Sequence, residues 1–474
     1  MSQASTAQIV TVNREAGAAQ RIATVLNAAI FGALLLLIVA TAVPYGTVDA
    51  WWKATFVCVV FLLAIGWIVE GFLSGSWRTG GRAILMPLIG AVVFSFLQTI
   101  SLGSTAAGGV SLPFWNAISA DPFQTRFFAL ELLALVISGA LFYRYVNTKT
   151  RITALIYVII GVAVASALFG ILRQTTQHQI GFGLPLLRPE QGYGQFINKN
   201  HFALLMEIAF GLVLGLILSE SLRREKILIY LAAMFPIWMA LVLSNSRGGI
   251  LGMLAQLVIG WLLFTSAPDE SKLRNRGWLK VLGSLPVRIG LVIVLVCGVF
   301  VGILWVGGDR LADKIEAMRN EFDPAFAVNR EGATRNEIWQ ATMRMFRDHP
   351  IAGVGMGGYW IGITAYHDAS GTLTPQEAHN DYLELLSSGG LIAVALGAWF
   401  IFVVVKRLRR NLKSTDGFRR GITVAATIAI AGVAVHSLFD FGLHMLANAL
   451  IFVALITIAT REEISNGGTW ESEL

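Results

Sequence analysis

Apolar stretches of about 20 residues, the length a helix needs to cross the hydrocarbon core of a bilayer, recur along this chain with polar breaks between them. They fall near 22–43, 54–73, 83–102, 127–146, 152–172, 202–219, 227–244, 248–266, 287–307, 383–405, 421–439 and 443–460. The pattern predicts an all-α integral membrane protein with about 12 transmembrane helices. One break is much longer than the others: residues 308–380 separate the ninth span from the tenth. Within it, Thr334-Arg335-Asn336-Glu337 reads as a capping box, with the threonine hydroxyl and the Glu337 side chain each satisfying an otherwise unpaired backbone N–H. A helix is therefore expected to start at Arg335. Ile338, Ala341 and Met345, with Trp339, Met343 and Phe346, then recur at helical spacing until His349-Pro350 stops the helix. This loop reads as a folded helical domain rather than a tether.

Composition agrees with the pattern. The 474 residues are 55% hydrophobic and 14% charged, whereas a soluble globular chain carries roughly a quarter charged residues. An even number of spans puts both termini on one side. With both termini cytoplasmic, 23 of the 36 Lys and Arg face inward. Once the long loop is set aside, only Lys53, Arg126, Arg173, Arg188, Lys199 and Arg247 face outward. The expected organisation is a cytoplasmic tail over 1–21, spans one to nine over 22–307, a periplasmic loop domain over 308–380, spans ten to twelve over 381–460, and a second cytoplasmic tail over 461–474. The net charge of +7 is then accounted for by loops facing anionic lipid, and no basic-aromatic stripe points to nucleic acid. Cys58 and Cys297 both fall in spans, so the outer loop has no disulfide framework and no cysteine-based metal site. The two halves of the chain show no self-similarity that would mark the inverted repeats of a secondary transporter.

Specific-looking polar chemistry gathers on the outer side. Arg247 stands in SNSRGG, 244–249, between two apolar runs. It is either an arginine snorkelling to headgroups or a fork for phosphate oxygens, and Gly248 and Gly249 permit close approach of another group. Arg335 stands in the first helical turn, where the helix dipole disfavours a cation; pairing with Glu331 or Glu337 is the plainer reading. His379, in EAHNDYLELLSSGG at 377–390, sits where the chain re-enters the membrane. A neutral imidazole oriented by nearby carboxylates is suited to take a proton, although a loop histidine also serves as a cap. His436, Asp440 and His444 are spaced four apart, as metal ligands on one helical face are, but Gly442 interrupts the helix and a polar hydrogen-bond network is the better expectation. Glu131 and Glu207 are intramembrane carboxylates expected to face the bundle interior. The outer segment 173–201 is also more polar than a connection requires.

FINKNHFALLME (196–207), SNSRGG (244–249), TRNEIWQATMRMFRDHPIAGVGMGGY (334–359), HNDYLELLSSGG (379–390) and HSLFDFGLHMLANALIF (436–452) together resemble the bacterial O-antigen ligase and polysaccharide polymerase superfamily. These are integral-membrane glycosyltransferases of the inner membrane that use undecaprenyl-diphosphate-linked glycans. The resemblance covers roughly 190–455, and residues 1–172 carry none of its motifs. It implies that Arg247 and Arg335 bind the diphosphate and that His379 is the catalytic residue at the periplasmic surface. Asn380, His201, Lys199 and Arg188, in or beside the matching motifs, join them as candidate substrate-binding residues. It further implies a metal-independent, inverting transfer without a cofactor, from the lipid-linked donor to a sugar hydroxyl. The acceptor is another glycan repeat in a polymerase or lipid A-core sugar in a ligase, and NKNHF and DFGLHMLANAL lean toward the polymerases. The alternative is a membrane transporter of a small anion such as bicarbonate, which would place its charges near the bilayer midplane.

Overall fold

The computed structural model describes residues 2–43, 45–77, 79–101, 117–176, 192–219, 224–265, 335–367 and 375–465. The expected ninth span, residues 308–334 and 368–374 of the long loop, which include Thr334 of the expected capping box, and Arg188 lie outside them. The apolar runs become helices α1 (Ser2–Ala42), α2 (Ala50–Ser74), α3 (Arg82–Leu97), α4 (Pro122–Tyr145), α5 (Lys149–Thr176), α6 (Lys199–Leu218), α7 (Arg224–Leu243) and α8 (Arg247–Thr265). After α9 (Arg335–Asp348) follow α10 (Asp381–Leu412), α11 (Gly417–His436) and α12 (Leu446–Thr460). Among the described residues nine helices are long and apolar enough to cross a membrane, and α3 and α12 are shorter apolar helices.

Two helices cover less than the apolar run that predicts them. The run containing α3 extends to 102, but Gln98 turns its amide outward, donating to the Ala352 carbonyl at 2.6 Å and the Ser388 carbonyl at 3.0 Å. Before α12 the chain makes a 3₁₀ turn, Gly442–His444, so the helix begins only at Leu446.

The bundle is organised around α6, which is buried without interruption from His201 to Val213. It packs against α7, α8 and α11. Gly211 and Gly215 let α11 come close: a Cβ at either position would collide with the backbone of Ala429 or Ala425. Leu62 and Phe72 of α2 and Leu228 and Phe235 of α7 remain exposed, as lipid-facing side chains do.

The long α10 is broken at Gly390, whose φ of 59° and ψ of −161° are not helical. The break frees backbone amides that an apolar environment cannot hydrate. Leu391 and Ile392 donate instead to the carbonyls of Pro350 and Ile351, at 2.8 and 3.2 Å. In return Val354 and Gly355 donate to the carbonyls of Ser387 and Ser388, at 3.0 and 2.9 Å. The segment after α9 is thereby locked onto the first turns of α10. α9 stops where its sequence signals place it, at Asp348 before His349-Pro350, and its Ala341 and Met345 form a small core with Val354, Tyr359, Ile363 and Ala378.

Candidate active site

Three helices begin at one place, and each begins with a cation. Lys199 is the first residue of α6, Arg247 of α8 and Arg335 of α9. All three line one cavity of about 230 Å³, together with Asn200, Asn245, Gly248, Phe439 and Asp440. A cation in the first turn of a helix opposes the dipole by about 0.3–1 kcal/mol, so three such residues at one cavity make it strongly positive. The backbone amides of helix starts favour an anion. The cavity is smaller than the roughly 300 Å³ at which pockets for whole small molecules begin.

Local structure fixes these helix starts. The Asn198 side chain accepts from the Asn200 amide at 2.8 Å, and the Ser246 hydroxyl accepts from the Gly249 amide at 3.2 Å. Asn245 turns the chain into α8 with a φ of 57°, in the left-handed region that non-glycine residues seldom occupy. The glycines of SRGG make room for protein rather than for ligand. A Cβ on Gly248 would meet the His436 ring, and one on Gly249 would meet Ala203 and Leu241.

His379 stands beside this cavity. Its φ is 51°, a strained conformation held by its neighbours on both sides. Before it, the Ala378 amide donates to Glu384 Oε2 at 3.0 Å and the Ala378 carbonyl accepts from the Trp339 indole of α9 at 3.0 Å. After it, Asn380 caps α10, its Oδ1 accepting from the amides of Tyr382 and Leu383, while its Nδ2 donates to the Leu438 carbonyl at 3.0 Å. Trp339 lies one turn along from Arg335, so α9 ties the third cation to the histidine loop.

The His379 ring directs Nδ1 at Asp440 Oδ1, 3.4 Å away, and is 35% exposed while the aspartate is 1% exposed. Burial opposes the charge on Asp440; the hydrogen bond from His379 and the rings of His201 and His436 reverse that and hold the carboxyl well below the usual carboxylate range. Asp440 is thereby the partner of Nδ1, which leaves Nε2 as the ring's second hydrogen-bonding nitrogen. Phe441 braces the arrangement, its ring edge-on to His379 at 5.0 Å, His201 at 4.8 Å and His444 at 5.7 Å.

The other histidines serve different partners. His436 Nδ1 meets Glu207 Oε2 at 2.8 Å, both side chains being fully buried. His444 faces Glu377 at 3.5 Å through Nδ1, and Asp381 at 3.6 Å and Glu384 at 3.8 Å through Nε2. Desolvation works against the imidazolium, but Glu384, Glu377 and Asp381 outweigh it and raise the His444 pKa to about 10. Burial likewise opposes the charge on Glu377, and His444 more than offsets it, holding that carboxyl low at about 2. Glu377, Glu384 and His444 bring ligand atoms within 4.8 Å of one another. A protonated His444 is already the cation of that cluster, and a metal would have to displace its proton.

Among the expected residues, Lys199, Arg247 and Arg335 share the cavity and His379 stands beside it. Asn380 spends its side chain on capping. His201 is 5% exposed, packed beneath Phe441 with Nε2 3.4 Å from the Asn198 amide. His436, Asp440 and His444 do not act together, because α11 ends at His436 and each turns to a different carboxylate or imidazole. Glu131 pairs with Lys53 at 3.4 Å. Asn200 and Asn245 are additions that spacing alone did not reveal. Asp440 was singled out with His436 and His444 by spacing, but not as the partner of His379.

Residues 231–398 match a family model described as O-antigen ligase. That segment, just over a third of the chain, contains Arg247, Arg335 and His379. The chain matches no curated protein.

Proposed function

We propose that this multi-pass membrane protein transfers a glycan from undecaprenyl diphosphate to a sugar hydroxyl at the periplasmic face of the inner membrane. The O-antigen ligase match implies a glycosyltransferase-type enzyme acting on a polyprenyl-linked donor and a glycan acceptor; the roles of individual residues are our reading. The observation that carries it is the convergence of Lys199, Arg247 and Arg335, each at a helix start, on a cavity also lined by the partner of His379.

A lipid-anchored diphosphate brings its anomeric carbon to the membrane surface, where these helices begin. Nε2 of His379 takes the proton of the acceptor hydroxyl as that oxygen bonds to the anomeric carbon. The bond from that carbon to the diphosphate oxygen breaks on the opposite face, giving inversion. Asp440 keeps Nδ1 protonated and stabilises the imidazolium that forms. The three cations and the helix amides meet the charge accumulating on the departing diphosphate, the task a divalent ion performs in many nucleotide-sugar enzymes, so the transfer is metal-independent. The cations stand at helix starts rather than mid-span, which favours surface chemistry over passage of an anion.

Arg247→Lys tests the reading. It keeps the charge but loses the planar fork that grips two phosphate oxygens, so most glycan output should disappear while the protein remains folded. Near-normal output would remove the bidentate role. Repeat polymerisation is favoured over ligation to lipid A-core. Deleting the gene should then leave single lipid-linked repeats; full-length polymer unattached to core would make the chain a ligase.

A further inference from the structure

The end of the bundle away from His379 holds a larger cavity, of about 700 Å³. Arg407, which lines it, lies 17 residues beyond the Gly390 break in α10, about 25 Å along the helix at about 1.5 Å per residue. This places it at the other membrane surface, cytoplasmic in the proposed orientation. Four elements meet there: the start of α3 (Gly80, Gly81, Ala83), the end of α4 (Tyr143, Arg144), Arg407 of α10, and Arg461 just beyond α12.

The charges in this cavity are not equally matched. Arg144 is held by Glu70, Nε to Oε2 at 2.9 Å. Arg407 and Arg410 both engage Glu462. Glu463 also lines the cavity. Arg461 is different. It is only 7% exposed, and its Nη2 donates to the carbonyls of Phe142 and Tyr143 at 2.9 and 2.6 Å. Its Nε is buried without a partner. The Tyr143 ring lies 5.7 Å from the guanidinium carbon, and among the described residues Arg461 forms no ion pair with a carboxylate. A buried guanidinium offset only by neutral groups is costly, and desolvation pulls its pKa down to about 10.

The start of α3 supplies a second, independent feature. Gly81, at φ 73°, precedes this 16-residue helix and provides no side-chain cap, so the positive end of the dipole is left unanswered by the chain itself. An uncapped helix start and an unneutralised buried arginine border one cavity.

We propose that this cavity binds a phosphate-bearing anion, held between the Arg461 guanidinium and the first turn of α3. The phosphate belongs either to an anionic phospholipid of the adjacent leaflet or to a water-soluble compound. The proposal does not depend on the transfer reaction, because the two cavities lie at opposite ends of the bundle and share none of their lining residues.

The full-length protein in phosphatidylcholine nanodiscs is titrated with inorganic phosphate while its melting temperature is followed. In parallel, detergent-purified protein is offered phosphatidylglycerol against phosphatidylcholine and lipid retention is read by native mass spectrometry. Two variants accompany it. Arg461→Gln removes the charge, and Ala83→Glu puts a carboxylate at the helix start, where an acid favours the helix but repels a bound phosphate. Stabilisation by phosphate in phosphatidylcholine identifies a soluble ligand, and selective retention of phosphatidylglycerol identifies a lipid headgroup. Whichever probe binds should bind about tenfold more weakly, or worse, in both variants, the loss expected for a charge-assisted hydrogen bond. Should Arg461→Gln fail to fold, Ala83→Glu decides alone. Binding of neither probe to wild type, or undiminished binding by folded Ala83→Glu, would overturn the proposal.

Discussion

The chain pairs a histidine with a carboxylate twice within a few residues of α11, and the two pairs are built for opposite purposes. His436 and Glu207 are 2.8 Å apart with neither side chain exposed. His379 and Asp440 are 3.4 Å apart, with the aspartate buried and a third of the imidazole open. The first pair is closed on every side, by Gln256 donating to the Glu207 carbonyl at 2.9 Å and by glycines 248, 252 and 432 packed against it. It can hold helices together but cannot pass a proton outward. The second leaves one ring nitrogen available at the cavity where three cations converge. The pairs are also joined: the Asp440 amide donates to the His436 carbonyl at 3.2 Å, so the closed pair sets the height at which the open pair's aspartate stands. Chemical identity therefore does not decide role here; access does.

Mutations should separate the two pairs. The largest effect is expected for Glu207→Ala, which leaves the buried Nδ1 of His436 without its partner; stranding a buried polar group costs about 1–3 kcal/mol, and more for a charged one. A large drop in melting temperature, or failure to recover folded protein, is expected by size-exclusion and thermal unfolding assays. A variant as stable as wild type would show that the closed pair is not structural. Asp440→Asn is expected to leave folding nearly intact, since its side-chain oxygen still accepts from the Phe441 amide, now 2.9 Å from Oδ1. Transfer should fall by about 10²-fold or more because the imidazole loses the carboxylate that sets its tautomer. Unchanged transfer would make Asp440 a bystander.

A smaller effect concerns His444, the third histidine of this region. Its pKa, about 10 in the folded chain against 6.5 for the free group, is raised, so its contribution to stability is complete below about pH 6.5 and disappears as pH rises through 10. The melting temperature of the wild type should decline between pH 7 and 10, and that of His444→Gln should decline less. Parallel slopes would mean that His444 is not held as a cation by Glu377, Asp381 and Glu384.

The periodic apolar runs made the helices legible, because twenty consecutive apolar residues have few other stable arrangements in a bilayer. The end of α9 was legible to the residue, since its proline stop is a local signal. The ends of α3 and α12 were not, because Gln98 and the 442–444 turn answer to partners hundreds of residues away or to a neighbouring helix. At the site, an arginine at a helix start was readable as an electrostatic oddity for Arg335, and the same oddity holds for Lys199 and Arg247. What no local pattern revealed is that the three helices start together. Asp440 was hidden for a related reason. Four-residue spacing joined it to His436 and His444, whereas its partner lies 61 residues away and is brought to it by the packing of α10 on α11.

The central claim is that proton transfer and donor holding are divided between His379 and the three cations. The direct test is His379→Ala, with donor affinity and transfer rate measured on the same purified protein using undecaprenyl-diphosphate glycan. The account predicts a rate lower by about 10²- to 10⁴-fold, the usual worth of a positioned general base, with donor affinity essentially unchanged. Loss of affinity in proportion to loss of rate would make His379 a phosphate ligand, and a wild-type rate would contradict the account outright.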